Sequence, residues 1–290
     1  MWRLLRSTVL CFIEDEALSR GAAISFYTAT SIAPILLIVV AIAGLVFGRE
    51  AAQGAITAQL SGLMGQQTAD LLQTAVANSN DKSAGTLATI IGIVAVIATA
   101  SGVFSEMQSA LNAIWKATPE GSTVARLIRA RAASLGLVAS LGFLLIVSLA
   151  VSAAVTALGD YLNGILPFGK IIASVVNTVL SVVLLSVLFA AIYKILPDRP
   201  IAWNDVLVGA VGTAILFTIG KSLIGWYIGS SAVGSTYGAA GALMVLLLWV
   251  YYSAEIFLFG AEFTKAYANR RGSTRYDPVA DSGQARAAAG

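Results

Sequence analysis

Hydrophobic runs alternate with short polar breaks along the whole chain, at residues 22–47, 84–105, 132–158, 171–195, 206–228 and 239–263. As helices rising about 1.5 Å per residue, all six are long enough to cross about 30 Å of hydrocarbon. The pattern predicts an all-α, polytopic membrane protein: six transmembrane helices in one domain over residues 1–271. Residues 272–290 are rich in Gly, Ala and Ser and predict a disordered cytoplasmic tail.

The breaks carry structure of their own. Trp2, Leu5, Val9, Phe12 and Ile13 recur at helical spacing against Arg3 and Arg6, which predicts an amphipathic interfacial helix. The acidic run Glu14-Asp15-Glu16 follows instead of a small-residue cleavage site, so a signal peptide is not expected. Residues 48–83 are too polar to span. Ile56, Leu60, Leu63 and Met64 form one apolar face; after Gly65, Leu71, Leu72, Ala75 and Val76 form another. Two short helices on the membrane surface or capping the bundle are expected there. The second hydrophobic run continues as helix through Trp115, before a turn at Pro119, Glu120 and Gly121. Pro197 and Pro200 build a compact turn between the fourth and fifth runs. Gly44 and Gly48, Gly225 and Gly229, and Gly234 and Gly238 have the spacing of close helix contacts, within the chain or between copies.

Composition sharpens the class. Charged residues make up 11% of the chain, against about 25% in soluble domains, and the mean hydropathy is +0.83. Of the 18 Lys and Arg, fourteen fall on the side of the two termini and only Arg49, Lys82 and Lys170 on the other, with Lys221 inside a span. That asymmetry puts both termini in the cytoplasm.

The same residues exclude several chemistries. The sequence has no histidine, hence neither the commonest metal ligand nor the commonest neutral-pH base. Cys11 is the single cysteine, a small apolar residue more readily than a nucleophile. No metal site, cofactor or enzyme activity is expected. No phosphate-binding loop of the G-x-x-x-x-G-K-[ST] type occurs, so transport would draw on a gradient or another protein. RNA needs a concentrated basic surface, and nucleic acid is not an expected partner.

What remains are charges inside the spans. Glu255 and Glu262 lie seven residues apart, on one helical stripe with Met244, Leu248 and Tyr251, about 10 Å apart along the axis. Glu255 falls near mid-membrane, where an ionisable residue faces a protein interior or a cavity. Glu262 is one turn from Lys265 and within reach of the interface, as an ion pair or as part of the site. Lys221 sits in the outer half of its span. It either pairs with Glu255 to fix helix register, serves a proton or substrate site with it, or snorkels outward. Tyr27, Thr30, Ser31 and Pro34 share a stripe on the first span. This is either a kinked helix whose hydroxyls satisfy its own backbone or a cavity lining. Glu255, Lys221, Tyr251, Tyr27, Thr30, Ser31, Pro34 and Glu262 are the candidate translocation residues.

Several motifs in this order resemble the YihY/BrkB family of bacterial inner-membrane proteins, once mislabelled as ribonuclease BN. They are AAISFYTATSIAP (residues 22–34), LNAIW (111–115), LPDR (196–199), YGAAGA (237–242), WVY (249–251) and GAE (260–262). Pro200 stands where that family's pattern would have a basic residue. The resemblance covers about residues 10–268. It implies six helices in a bacterial cytoplasmic membrane, links to virulence and envelope lipid handling, and no agreed catalytic motif. Two functions follow as expectations: translocation of a lipid-type or small-solute substrate, or a non-transporting envelope-assembly factor. Membrane lipids and envelope-assembly proteins are the expected partners.

Overall fold

The computed structural model describes residues 2–64, 66–78, 102–117, 169–230 and 238–272. Most of the predicted span at 84–105, the whole of that at 132–158, the turn at 119–121 and residues 273–290 of the predicted tail lie outside them.

Among the described residues every element is a helix. They are α1 (Trp2–Glu14), α2 (Ala17–Phe47), α3 (Arg49–Met64), α4 (Gln66–Asn78), α5 (Gly169–Ile195), α6 (Trp203–Ser230) and α7 (Gly238–Arg271). A further helical segment covers residues 102–114. Three of these helices are long and apolar enough to cross a membrane, over Ser174–Ile195, Trp203–Ile228 and Ala240–Arg271. The last of them runs on past the predicted boundary at 263.

The ends of α2 follow from local chemistry. It starts after Glu16, a non-glycine residue held at φ 54°, and stops at Gly48, whose φ of 83° suits glycine and whose N–H reaches the Gly44 carbonyl at 3.1 Å. α3 ends at Met64 and α4 begins at Gln66, where the sequence pattern changes face.

α6 packs on α5 on one side and on α7 on the other, and α7 packs in turn on α2. α1 lies mainly across α7. Two apolar clusters result. The larger gathers Phe104, Leu111, Ile114 and Trp115 with Phe189, Tyr193, Leu196, Val206, Phe257 and Leu258. The smaller, at the other end of α7, joins Leu246 and Val250 to Leu72 of α4, with Leu36 and Leu60 against them. α3 and α4 therefore cap the bundle through buried side chains and do not merely rest on a surface.

Two of the six spaced glycines make no close contact among the described residues. A side chain at Gly48 or Gly225 would meet open space. Tight approaches occur instead at Gly209, Gly220 and Gly260, where an added Cβ would fall within 2.5 Å of Thr264, Ile256 or Thr213, and at Gly21. Periodic spacing shows which glycines share a face, and the neighbouring helix decides which face is used.

Candidate functional site

The structure sorts the candidate residues into two tiers along α7. The inner tier is Glu255. Its two carboxylate oxygens are buried, and neither accepts a hydrogen bond among the described residues. Oε1 lies where the Cβ of any residue other than glycine at position 21 would be, only 2.0 Å from that ideal point. Gly21 of α2 thus makes the room the carboxylate occupies. Tyr251, one turn earlier on the same stripe, is close enough to act on Glu255 electrostatically without an ordinary hydrogen bond. Lys221 forms no ion pair with Glu255. Of the readings open for that lysine, register-fixing by pairing is the one the geometry removes.

The α2 stripe resolves toward self-satisfaction. Thr30 donates to the carbonyls of Phe26 (3.1 Å) and Tyr27 (2.9 Å). Ser31 donates to Tyr27 (2.8 Å) and Thr28 (3.3 Å). These hydroxyls are bound to their own helix, which continues through Pro34 without a break. Tyr27 is exposed on one side and lies over Gly102 on the other.

The second tier sits about two to three turns further along α7 and contains groups the sequence did not single out. Glu262 is fully buried, 3.5 Å from the Lys265 Nζ. Asp15, at the corner between α1 and α2, faces both. It accepts a hydrogen bond from Lys265 at 3.0 Å and another from Lys116, with its side chain 5% exposed. Lys116 ends the 102–114 helix at φ 48°, a left-handed conformation that costs a non-glycine residue about 1 kcal/mol. Its N–H still closes the helix on Ala113 (3.2 Å), and its ammonium group lands on Asp15. A glycine would relieve the backbone and lose the ion pair.

Next to this tier the LPDR turn closes on the LNAIW helix. Asp198 accepts from Asn112 Nδ2 (2.8 Å) and Gln108 Nε2 (3.2 Å), and its own N–H donates to Asn112 Oδ1 (2.8 Å). Arg199 donates to the Trp115 carbonyl at 2.9 Å. The motifs that carried the family resemblance meet in space, which their distance in sequence did not disclose. An open cleft of about 490 Å³ lies beside them, lined by Glu14, Asp15, Glu16, Arg20, Asn112 and Lys116.

Burial alone would raise the Asp15 carboxyl, but the hydrogen bonds from Lys116 and Lys265 outweigh it and hold the group below its ordinary value. A depressed carboxyl stabilises the fold at every pH above the unfolded value of about 3.9, and that contribution is lost as pH falls through the folded one. The charged or titratable groups facing Asp15 are Lys116, Lys265, Glu262, Glu14 and Cys11. The melting-point gap between wild type and Asp15→Asn is accordingly expected to be widest at neutral pH and to close below about pH 4. A gap that widened in acid would reverse the sign of this assignment.

No group of three or more acidic or thiol side chains fit to hold a metal ion occurs among the described residues. A family model for virulence factor BrkB matches residues 9–284. Among curated proteins the chain resembles a UPF0761 membrane protein of Mannheimia succiniciproducens, at 27% identity over 93% of this chain and 91% of the relative. A UPF0761 membrane protein of Rhodospirillum centenum is 26% identical over 90% of this chain. One of Pasteurella multocida is 29% identical over 73% of it. The chain spans 56% and 61% of the length of those two relatives. No solved structure matches it.

Proposed function

We propose, from the premise that this chain belongs to the virulence factor BrkB family of membrane proteins, that it translocates a lipid-type or small-solute substrate of the cell envelope. It does so in the bacterial cytoplasmic membrane, with both termini in the cytoplasm and without an ATPase of its own. One observation carries the reading. Glu255 lies inside a candidate span with two buried oxygens that, among the described residues, have no ion-pair partner and no hydrogen bond of ordinary geometry. A carboxyl group in hydrocarbon costs about 3 kcal/mol or more, so a membrane helix keeps one where it has work to do. Gly21 makes room for it, and Tyr251 stands one turn away as a hydroxyl for the same ligand. A substrate carrying a hydroxyl or ammonium group would supply a partner that the described residues do not.

The alternative, a non-transporting assembly factor, draws on α1. Its outer side exposes Trp2, Leu5, Val9 and Ile13, an apolar surface suited to lipid or to a partner helix.

The test is native mass spectrometry of the protein extracted in discs of its own membrane, comparing wild type with Glu255→Gln. The glutamine is nearly isosteric and cannot ionise. A bound lipid or solute should fall in occupancy by about tenfold, the effect of some 1.4 kcal/mol of lost interaction, while the variant stays monodisperse. A ligand retained equally by both forms, or a stoichiometric partner protein in both and no small ligand, would move the conclusion to the assembly factor.

A further inference from the structure

Between the two carboxylate tiers of α7 lies an apolar layer. Phe259 is four residues beyond Glu255 and three before Glu262, so its ring falls at the depth between them. Phe12 of α1 meets it edge-to-face, with ring centroids 5.8 Å apart at 65°. Leu258, fully buried, completes the layer on the α7 side. Three residues along the chain from Phe12, Asp15 holds Lys265 and Lys116.

We propose that α1 is a gate on this route, with Phe12 against Phe259 as its plug and Asp15 on Lys265 and Lys116 as its lock. The proposal rests on the reading of Glu255 as the group that meets substrate, because the plug stands between Glu255 and the cleft beside Asp15.

Three features suit α1 to move as a unit. Its inward side is narrow, with Leu4 and Thr8 buried and Phe12 partly so, while Trp2, Leu5, Val9, Leu10 and Ile13 are exposed. It joins α2 through a two-residue corner, Asp15-Glu16, where Glu16 holds a left-handed φ of 54°. Such a corner can absorb a dihedral change without disturbing either helix. The lock also reaches two separate elements, since Lys116 ends the 102–114 helix and Lys265 belongs to α7. Releasing Asp15 would therefore free α1 from both together. The Glu255 oxygens are sealed here, which identifies this arrangement as the closed one.

The experiment follows access to position 255 without requiring flux. The protein has one cysteine, Cys11, so Cys11→Ser with Glu255→Cys leaves a single thiol at the inner tier. In lipid nanodiscs, where both faces are open to reagent, that thiol should react slowly with a charged maleimide. Adding Phe12→Ala, which removes the plug, or Asp15→Asn, which weakens the lock, should speed the reaction by about tenfold through a larger open population. Unchanged helical circular dichroism and a monodisperse profile accompany the expected result. If Asp15→Asn does not fold, Phe12→Ala carries the test by the same criterion.

Position 255 reacting fast before either substitution overturns the gate, because nothing was closed. Equal slow rates with and without the substitutions also overturn it, even if native Cys11 becomes more reactive, because α1 would then be a fraying end that covers nothing. Labelling is independent of the ligand measurement. A gate that opens in a protein that binds no substrate retires the translocation reading and leaves the gate. Ligand loss in Glu255→Gln with no gating does the reverse.

Discussion

Asp198→Ala should lower the unfolding free energy by about 3 kcal/mol, the cost of two lost hydrogen bonds to a carboxylate with partners left unpaired in a half-buried site. Asp198 is joined to Asn112 by two hydrogen bonds of 2.8 Å, one through its carboxylate and one through its N–H, and it also accepts from Gln108. Alanine keeps the N–H bond but abandons both amide donors. The turn it heads is flanked by Leu196 and Ile201, both buried in the larger cluster with Trp115 and Ile114. Loosening it therefore exposes apolar surface as well as polar groups. Asp198→Asn keeps one acceptor and should cost about a third as much, or about 1 kcal/mol. Thermal melts of the purified protein in one detergent measure both. If Asp198→Ala melts with the wild type, the contact between the 102–114 helix and the turn is not what holds this end of the bundle.

Gly260→Ala is expected to cost about 3 kcal/mol, at the upper end for overpacking a closed site. The added methyl would sit 2.0 Å from Thr213 Oγ1 and 2.6 Å from the Tyr193 hydroxyl. Neither neighbour can swing away cheaply. Tyr193 is fully buried, donates to the Phe257 carbonyl at 2.7 Å and sets its oxygen 3.1 Å from the Thr213 hydroxyl. Thr213 in turn donates to the Gly209 carbonyl at 2.8 Å. The tyrosine ring is stacked on Phe257, with centroids 5.3 Å apart. Thr213→Ala clears the oxygen and the methyl nearest the new side chain, so the double substitution should be less harmful than the sum of the two single ones. Simple additivity of the melting shifts would mean that the strain is relieved elsewhere in α6 or α7.

Much of this was legible along the chain because helices in lipid announce themselves by length and by absence of charge. The helices α5, α6 and α7 coincide with three of the predicted spans, α2 is helical over a fourth, and α3 and α4 fall where the two apolar faces were read. The stripe on α2 was equally readable: a threonine or serine in an apolar helix has its own backbone as the nearest acceptor, and Thr30 and Ser31 use it. Glu255 was visible as an unaccompanied acid. Its neighbour Gly21 was not, because a glycine among alanines gives no sign of what presses on it. Asp15 was hidden differently. In a run of three acids nothing distinguishes the middle one, and a charge run ordinarily faces water. Only the corner between α1 and α2 turns Asp15 inward and leaves Glu14 and Glu16 outside. Asp198 and Asn112 belonged to motifs that fixed the resemblance, but a hydrogen bond between residues 86 apart has no local signature.

The ion pair between Asp15 and Lys265 joins residues 250 positions apart. During synthesis the carboxylate is made 250 residues before its partner on α7. α1 consequently cannot lock onto Lys265 until α7 has been made. Long-range closure of this kind is slow and comes late. A chain cut short before residue 265 would hold a charged corner with nothing to neutralise it from α7. In such a chain Lys116 alone would hold Asp15, and α1 would be tied to the 102–114 helix but not to α7.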